Sequence, residues 1–152
     1  MWTNFHTHCT YCDGKKSIEE VISSALGRLH SLGFSSHAPL PFERPWCMKR
    51  SNFESYLEVL RIHKASSLPL QIYAGLEVDF IPGVISANDF QGQLDYTIGS
   101  IHFVDSFASG DRWEIDGPHL LFLEGYEQIF RKDIKAVINR YFELTRQMVL
   151  SS

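Results

Sequence analysis

Phe5-His6-Thr7-His8, running on through Cys9 to Cys12-Asp13-Gly14, is the stretch from which the rest of the chain is read. Side chains alternate across a strand with period two, so a short strand over residues 2–8 puts His6 and His8 on one face. Two imidazoles on one face can approach one metal ion from one side. Asp13, in the turn that follows, adds a hard carboxylate ligand nearby. By itself His-x-His is also what two exposed strand histidines look like. The metal reading gains weight only if other strands end in ligands too.

At 152 residues the chain has the size of one ordinary domain and can bury a real core. The 44% hydrophobic fraction is that of a globular protein, and no apolar run reaches the ~18 residues of a membrane span. Met1-Trp2-Thr3-Asn4 has neither a basic nor an apolar leader region, which sets the expectation of a cytoplasmic protein. A net charge of −4 argues against binding nucleic acid, whose phosphates want a basic face. Three cysteines do not make a disulfide framework.

Behind the opening strand, Ser17-Ile18-Glu19-Glu20 has capping-box spacing. Ile18, Val21, Ile22, Ala25, Leu29 and Leu32 recur at helical spacing, which predicts a helix to about Leu32, stopped by Gly33. Residues 34–37 read as a short strand, ended by Pro39 and Pro41. Residues 38–46 are loop. Ser51-Asn52-Phe53-Glu54 repeats the capping-box pattern before a helix whose stripe is Phe53, Tyr56, Leu57 and Leu60, ending near Ser66. Residues 71–80 (QIYAGLEVDF) are the clearest strand, and residues 95–103 read as a fourth. Residues 105–118 read as a long loop and 125–150 as one long helix. The alternation predicts an α/β fold with a largely parallel sheet in a single domain, 1–152.

Sites in parallel α/β folds form where strands end. Each expected strand carries a metal-capable side chain near its end: His6 and His8 on the first, His37 on the second, Glu77 on the third and His102 on the fourth. His37 is equally read as a satisfied strand-end histidine, and His102 as a core one. Glu77, between Leu76 and Val78, would be costly to bury without a partner or a metal. His30 and His63 fall on helices as surface residues, and His119 falls in the loop. Cys9 and Cys12 read as small buried or supporting residues.

In this order and context the motifs resemble the PHP (polymerase and histidinol phosphatase) superfamily. FHTHCTYCDG, FSSHAPLPF, GLEVDF and IGSIHFVD, the last followed by Trp113-Glu114-Ile115-Asp116, are similar to its histidinol-phosphatase branch. The resemblance runs from about Trp2 to the last residue. It implies a distorted (β/α)7 TIM-like barrel with a cluster of two to three divalent metal ions (Zn, Mn or Fe) at its rim. It also implies hydrolysis of a small phosphomonoester, L-histidinol phosphate, to L-histidinol and phosphate. Carried over residue by residue, His6 and His8 would bind a first ion that Glu77 bridges to a second, His102 the second, and Asp13 and His37 a third. From loop position alone, Glu43 and Asp116 are candidates for the substrate's cationic part, and Arg44 and Arg112 for its phosphate.

The family pattern also has a histidine on a later strand and a C-terminal Asp-x-His, and no histidine follows His119 here. The expectation is therefore a partial barrel with its C-terminal strands missing, and a homo-oligomer that covers the open edge. Three functions fit the reading: a histidinol phosphatase, impaired or not; a phosphoesterase of the same superfamily with another substrate; and a non-catalytic metal-binding or assembly fragment. Neither nucleic acid nor membrane is an expected partner.

Overall fold

The computed structural model describes residues 2–151. Strands β1 (Trp2–Asn4), β2 (Leu29–Phe34), β3 (Gln71–Asp79) and β4 (Tyr96–Ser100) form one sheet in the order β1-β2-β3-β4. β1 and β2 pair parallel, as do β2 and β3. The bonds Asp95 N–H to Ala74 O (2.8 Å) and Phe80 N–H to Ser100 O (2.9 Å) climb both strands in the same sense, so β4 is parallel as well. Helices α1 (Ile18–Ala25) and α2 (Phe53–Lys64) occupy the first two crossovers. By internal packing the chain divides into two compact units, Met1–Val78 with Asp89–Ile98, and Asp79–Asn88 with Gly99–Ser152.

In the first unit α1 begins as its sequence dictates. Ser17 Oγ accepts from the Glu20 N–H (3.2 Å), and the Glu20 carboxylate accepts from the Ser17 N–H (2.8 Å). Ile18, Ile22 and Ala25 are its buried face. The helix ends much earlier than its apolar spacing suggests. Gly27 takes φ +75°, a left-handed turn that favours glycine, and Leu29 and Leu32 belong to β2. His30 is thus a strand residue, its Nδ1 2.9 Å from Ser31 Oγ. The second capping box does not form. Residues Arg50–Asn52 make a 3-10 turn, and Asn52 caps α2 with no side-chain bond. The stripe of Phe53, Tyr56, Leu57 and Leu60 is buried as expected, and Tyr56 Oη donates to Gly75 O (2.8 Å).

β2 and β3 meet a ring from β4. Gly33 and Gly75 leave a slot filled by Tyr96, and a Cβ on either would lie 2.3 and 2.5 Å from Tyr96 atoms. The Tyr96 hydroxyl crosses this slot to donate to Phe5 O (2.7 Å).

The second unit is built on Phe80, Ile101, Val104, Trp113, Val137 and Leu144. β4 stops at Ser100, because Phe103 already starts β5 (Phe103–Ser106), which pairs antiparallel with β6 (Arg112–Glu114). The stretch expected to be loop therefore holds most of a hairpin. The expected single C-terminal helix is two, α3 (His119–Gln128) and α4 (Ile134–Leu150), with His119 opening α3. Arg131 (φ 51°) and Lys132 (φ 64°) turn the chain between them, and Asp133 caps α4 by accepting from the Lys135 and Ala136 N–H groups. Gly125 admits the Trp113 indole against α3, whose Leu121 O accepts from Trp113 Nε1 (3.0 Å). Among the described residues no helix is long and apolar enough to cross a membrane.

Candidate metal centre

β1 ends at Asn4, so His6 and His8 lie beyond the strand rather than on it. Their common direction has another cause. Phe5 O is held by Tyr96, Thr7 O accepts from the Ser35 N–H (2.9 Å), Thr7 N–H reaches Ser35 Oγ (3.1 Å), and Cys9 N–H reaches Ser36 Oγ (3.3 Å). Residues 5, 7 and 9 are tied to the structure beside them, and residues 6 and 8 project together.

They project onto Glu77. A single oxygen, Glu77 Oε2, lies 2.8 Å from His6 Nε2 and 3.0 Å from His8 Nε2. His37 Nδ1 is 3.8 Å from the same oxygen. Glu77 is buried, and its backbone is fixed by bonds from its N–H to Ser36 O (3.1 Å) and from the Ala38 N–H to its carbonyl (2.8 Å). These place His37 in a bridge beside it instead of on β2. Asp13 closes the other side, Oδ1 at 2.8 Å from His8 Nδ1 and Oδ2 at 3.8 Å from His37 Nε2. The His37 ring stands edge-on to His8 (4.4 Å) and to Trp46 (4.7 Å). Within this unit two groups could each hold a metal ion, His6 with His8 and Glu77, and His8 with Asp13 and His37. The His6 side chain is 57% exposed and Asp13 45%, so the cluster opens to solvent on one side.

The field here favours positive charge. Hydrogen bonding to Cys12, then to Glu77 and Asp13, outweighs burial and pushes the His8 imidazole up to about 11. Burial works against ionisation of Asp13, yet its bonds to His8 and Cys12 hold its carboxyl below the usual range. The Cys12 thiol is lowered as well: burial opposes this, and bonding to His8, Ser36 and the Gly14 and His37 backbone prevails.

In the second unit His102 is oriented by Asp79. Its N–H lies 3.3 Å and its Nδ1 2.8 Å from Asp79 Oδ1, with Ser100 Oγ 3.2 Å from the same nitrogen. Asp79 is buried at 2% exposure, and such a carboxylate on one ring nitrogen leaves Nε2 as the ligand-capable one. Asp116 Oδ2 is 3.7 Å from that Nε2. Sequence reasoning passed over Asp79, although it follows Glu77 by two residues on the same strand face. Of the other expected substrate contacts, Glu43 and Arg44 line an open groove with Pro41, Met48 and Arg50, where the Arg44 guanidinium lies over the Phe42 ring. Arg112 is on β6. His63, on α2, sits 3.5 Å from Glu19.

The PHP domain family matches residues 4–150. This chain belongs to that family. A solved structure described as the putative histidinol phosphatase of Listeria monocytogenes is similar, with a TM-score of 0.62 at 21% identity. The match covers 79% of this chain and 51% of that one, so this PHP domain spans about half the length of its neighbour. No curated protein matches it. The fold is α/β, a partial TIM-like barrel, as expected.

The residues present fit divalent ions. Imidazole nitrogens and carboxylate oxygens converge at hydrogen-bond distances, one buried carboxylate oxygen serves two imidazoles, and the cluster has an open side. This is the donor chemistry that Zn, Mn and Fe share.

Proposed function

We propose that this PHP domain is a metal-dependent phosphomonoester hydrolase of the histidinol-phosphatase type, converting L-histidinol phosphate and water to L-histidinol and phosphate. The observation that carries the reading is Glu77 Oε2, buried and facing His6 Nε2 and His8 Nε2 at 2.8 and 3.0 Å. His6, His8 and Glu77 would hold one divalent ion (Zn, Mn or Fe), Asp13 and His37 a second, and His102, on the family pattern, a further one. Bound there, such ions supply a water of lowered pKa and positive charge for the phosphate oxygens.

The protein's own residues do the positioning. The Glu77 backbone is held by bonds of both its groups to the 36–38 segment, and its side chain by His6 and His8. Asp79 fixes the His102 ring, and Tyr96 anchors the backbone just before His6. Asp116, whose Oδ2 is 3.7 Å from His102 Nε2, would meet a cationic substrate group. Glu43 and Arg44 offer both charges in their groove, and Arg112 is the remaining phosphate candidate.

Phosphate release from L-histidinol phosphate, set beside generic phosphomonoesters, tests the proposal on chain loaded with zinc, manganese or iron. Preferential turnover of histidinol phosphate is expected. Equal turnover of all esters would leave a phosphoesterase of another specificity. A loaded chain that releases no phosphate from any of them would leave a metal-binding fragment.

A further inference from the structure

Two helices of the second unit each bury one apolar side and leave another uncovered. α4 gives Val137, Tyr141, Leu144 and Met148 to the core around Trp113. Ile134, Ile138, Phe142 and Val149 follow one another at intervals of four, four and seven residues along a neighbouring line of the same helix. All four are exposed, Phe142 by 63%. Single exposed apolar residues are ordinary, but a row of four marks a contact surface. α3 packs Phe122 and Tyr126 on the same core and leaves Leu120 and Leu123 exposed, Leu120 by 78%.

The charges beside the two rows differ in sign. Lys135 stands three residues before Ile138, and Arg146 four after Phe142, so exposed cations border the α4 row. Neither cation has a hydrogen-bond or ion-pair partner for its side chain among the described residues. On α3, Glu124 follows Leu120 by four residues and Glu127 follows Leu123 by four, and the helix holds no lysine or arginine. Glu127 meets Lys132 (2.6 Å), and Glu124 accepts from the Gln128 amide (3.0 Å). One helix is thus apolar and acidic, the other apolar and basic. Laid on a second α4, the α4 row would set cation beside cation. Laid on an α3, it sets Lys135 and Arg146 beside carboxylates, and such complementarity selects the partner.

We propose that the α3 face of one copy docks on the α4 row of a second copy of this chain. Leu120 and Leu123 then lie against Ile138 and Phe142, with Glu124 and Glu127 facing Lys135 and Arg146. Made twice about a two-fold axis, the contact closes as a dimer. Two helix faces about 10 Å across offer about 400 Å² per copy, a small interface, so association is expected to vary with concentration. The contact gives the expected homo-oligomer a defined surface and does not depend on the metal centre.

Sedimentation of the full chain across the micromolar range, with two charge reversals, tests the contact. The unsubstituted chain is expected to associate. Lys135→Glu with Arg146→Glu, and separately Glu124→Lys with Glu127→Lys, should each weaken association at least ~tenfold. An equal mixture of the two variants should associate again, because each then meets the opposite charge on the other. Three results overturn the proposal: an unsubstituted chain that stays monomeric, association that neither reversal weakens, or a mixture that stays monomeric although both variants keep their helical content. Carbodiimide coupling of an equal mixture of isotope-labelled and unlabelled chain decides without any variant. Glu124 joined to Lys135 between a labelled and an unlabelled chain supports the contact, and links confined within one chain refute it.

Discussion

Gly75→Ala tests whether the Tyr96 slot holds the first unit together. An alanine Cβ at this site would lie 2.5 Å from Tyr96 Cζ, 2.6 Å from Cε1 and 2.9 Å from Phe34 O. The carbonyl belongs to β2 and cannot retreat, so the tyrosine ring must move by about 1 Å to restore ordinary contact. Overpacking of this kind costs about 1–3 kcal/mol. Replacing glycine returns about 0.4–1 kcal/mol by restricting the unfolded chain. The net expectation is a loss of about 1–2 kcal/mol, or a melting temperature lower by roughly 2–8 °C at this chain length. A moving ring also draws its hydroxyl off Phe5 O, the anchor next to His6, so zinc affinity should fall with stability. Tyr96→Phe isolates the anchor, at about 0.5–1.5 kcal/mol. Thermal melts of Gly75→Ala, Tyr96→Ala and the double variant complete the cycle. With the ring gone, Gly75→Ala should cost less by about 1 kcal/mol or more. An alanine at 75 that costs the same with and without the ring would refute the reasoning.

Three further outcomes are expected. Glu77→Gln removes the negative charge and one carboxylate oxygen beside His6 and His8, and metal content by elemental analysis should drop by at least one ion per chain; unchanged content would count against Glu77 as a ligand. In the metal-free chain the His8 pKa is raised from 6.5 to about 11, so its proton contributes stability that is complete below about pH 6.5 and lost as pH rises toward 11. Melting temperatures of chelator-treated chain should fall across that window more steeply than those of His8→Gln, and parallel curves would refute the coupling. Asp133→Ala leaves the Lys135 and Ala136 N–H groups uncapped and should cost about 1 kcal/mol in denaturant unfolding, with no change in metal content.

The residues that cluster at the candidate site were legible in the sequence because residue type and position along the chain are local facts, but the geometry behind them was not. His6 and His8 converge as a period-two reading requires, although β1 has ended. The ties at Phe5, Thr7 and Cys9 come from Tyr96, Ser35 and Ser36, distant residues that periodicity does not see. The α1 stripe ran on to Leu32 because Leu29 and Leu32 keep helical spacing while serving β2. The stop is Gly27 rather than the expected Gly33, and pairing makes the choice, since β2 must start at Leu29 to meet Trp2. Before α4 the sequence signal is Asp133, an N-cap residue, while Arg131 and Lys132 adopt a left-handed backbone that neither residue type announces.

Asp79 is the opposite case, a residue the alternation rule could have found. Glu77 and Asp79 share a face of β3, and each meets histidine within its own unit, Glu77 with His6 and His8, Asp79 with His102. A buried carboxylate is expensive unless something positive or hydrogen-bonding meets it. Two such residues, two positions apart on one face of a largely apolar strand, therefore predict two sets of partners. Glu77 stands out because Leu76 and Val78 flank it, whereas Asp79 lies next to Phe80 and near Pro82, where the strand ends. The strand is chemically occupied to its last residue.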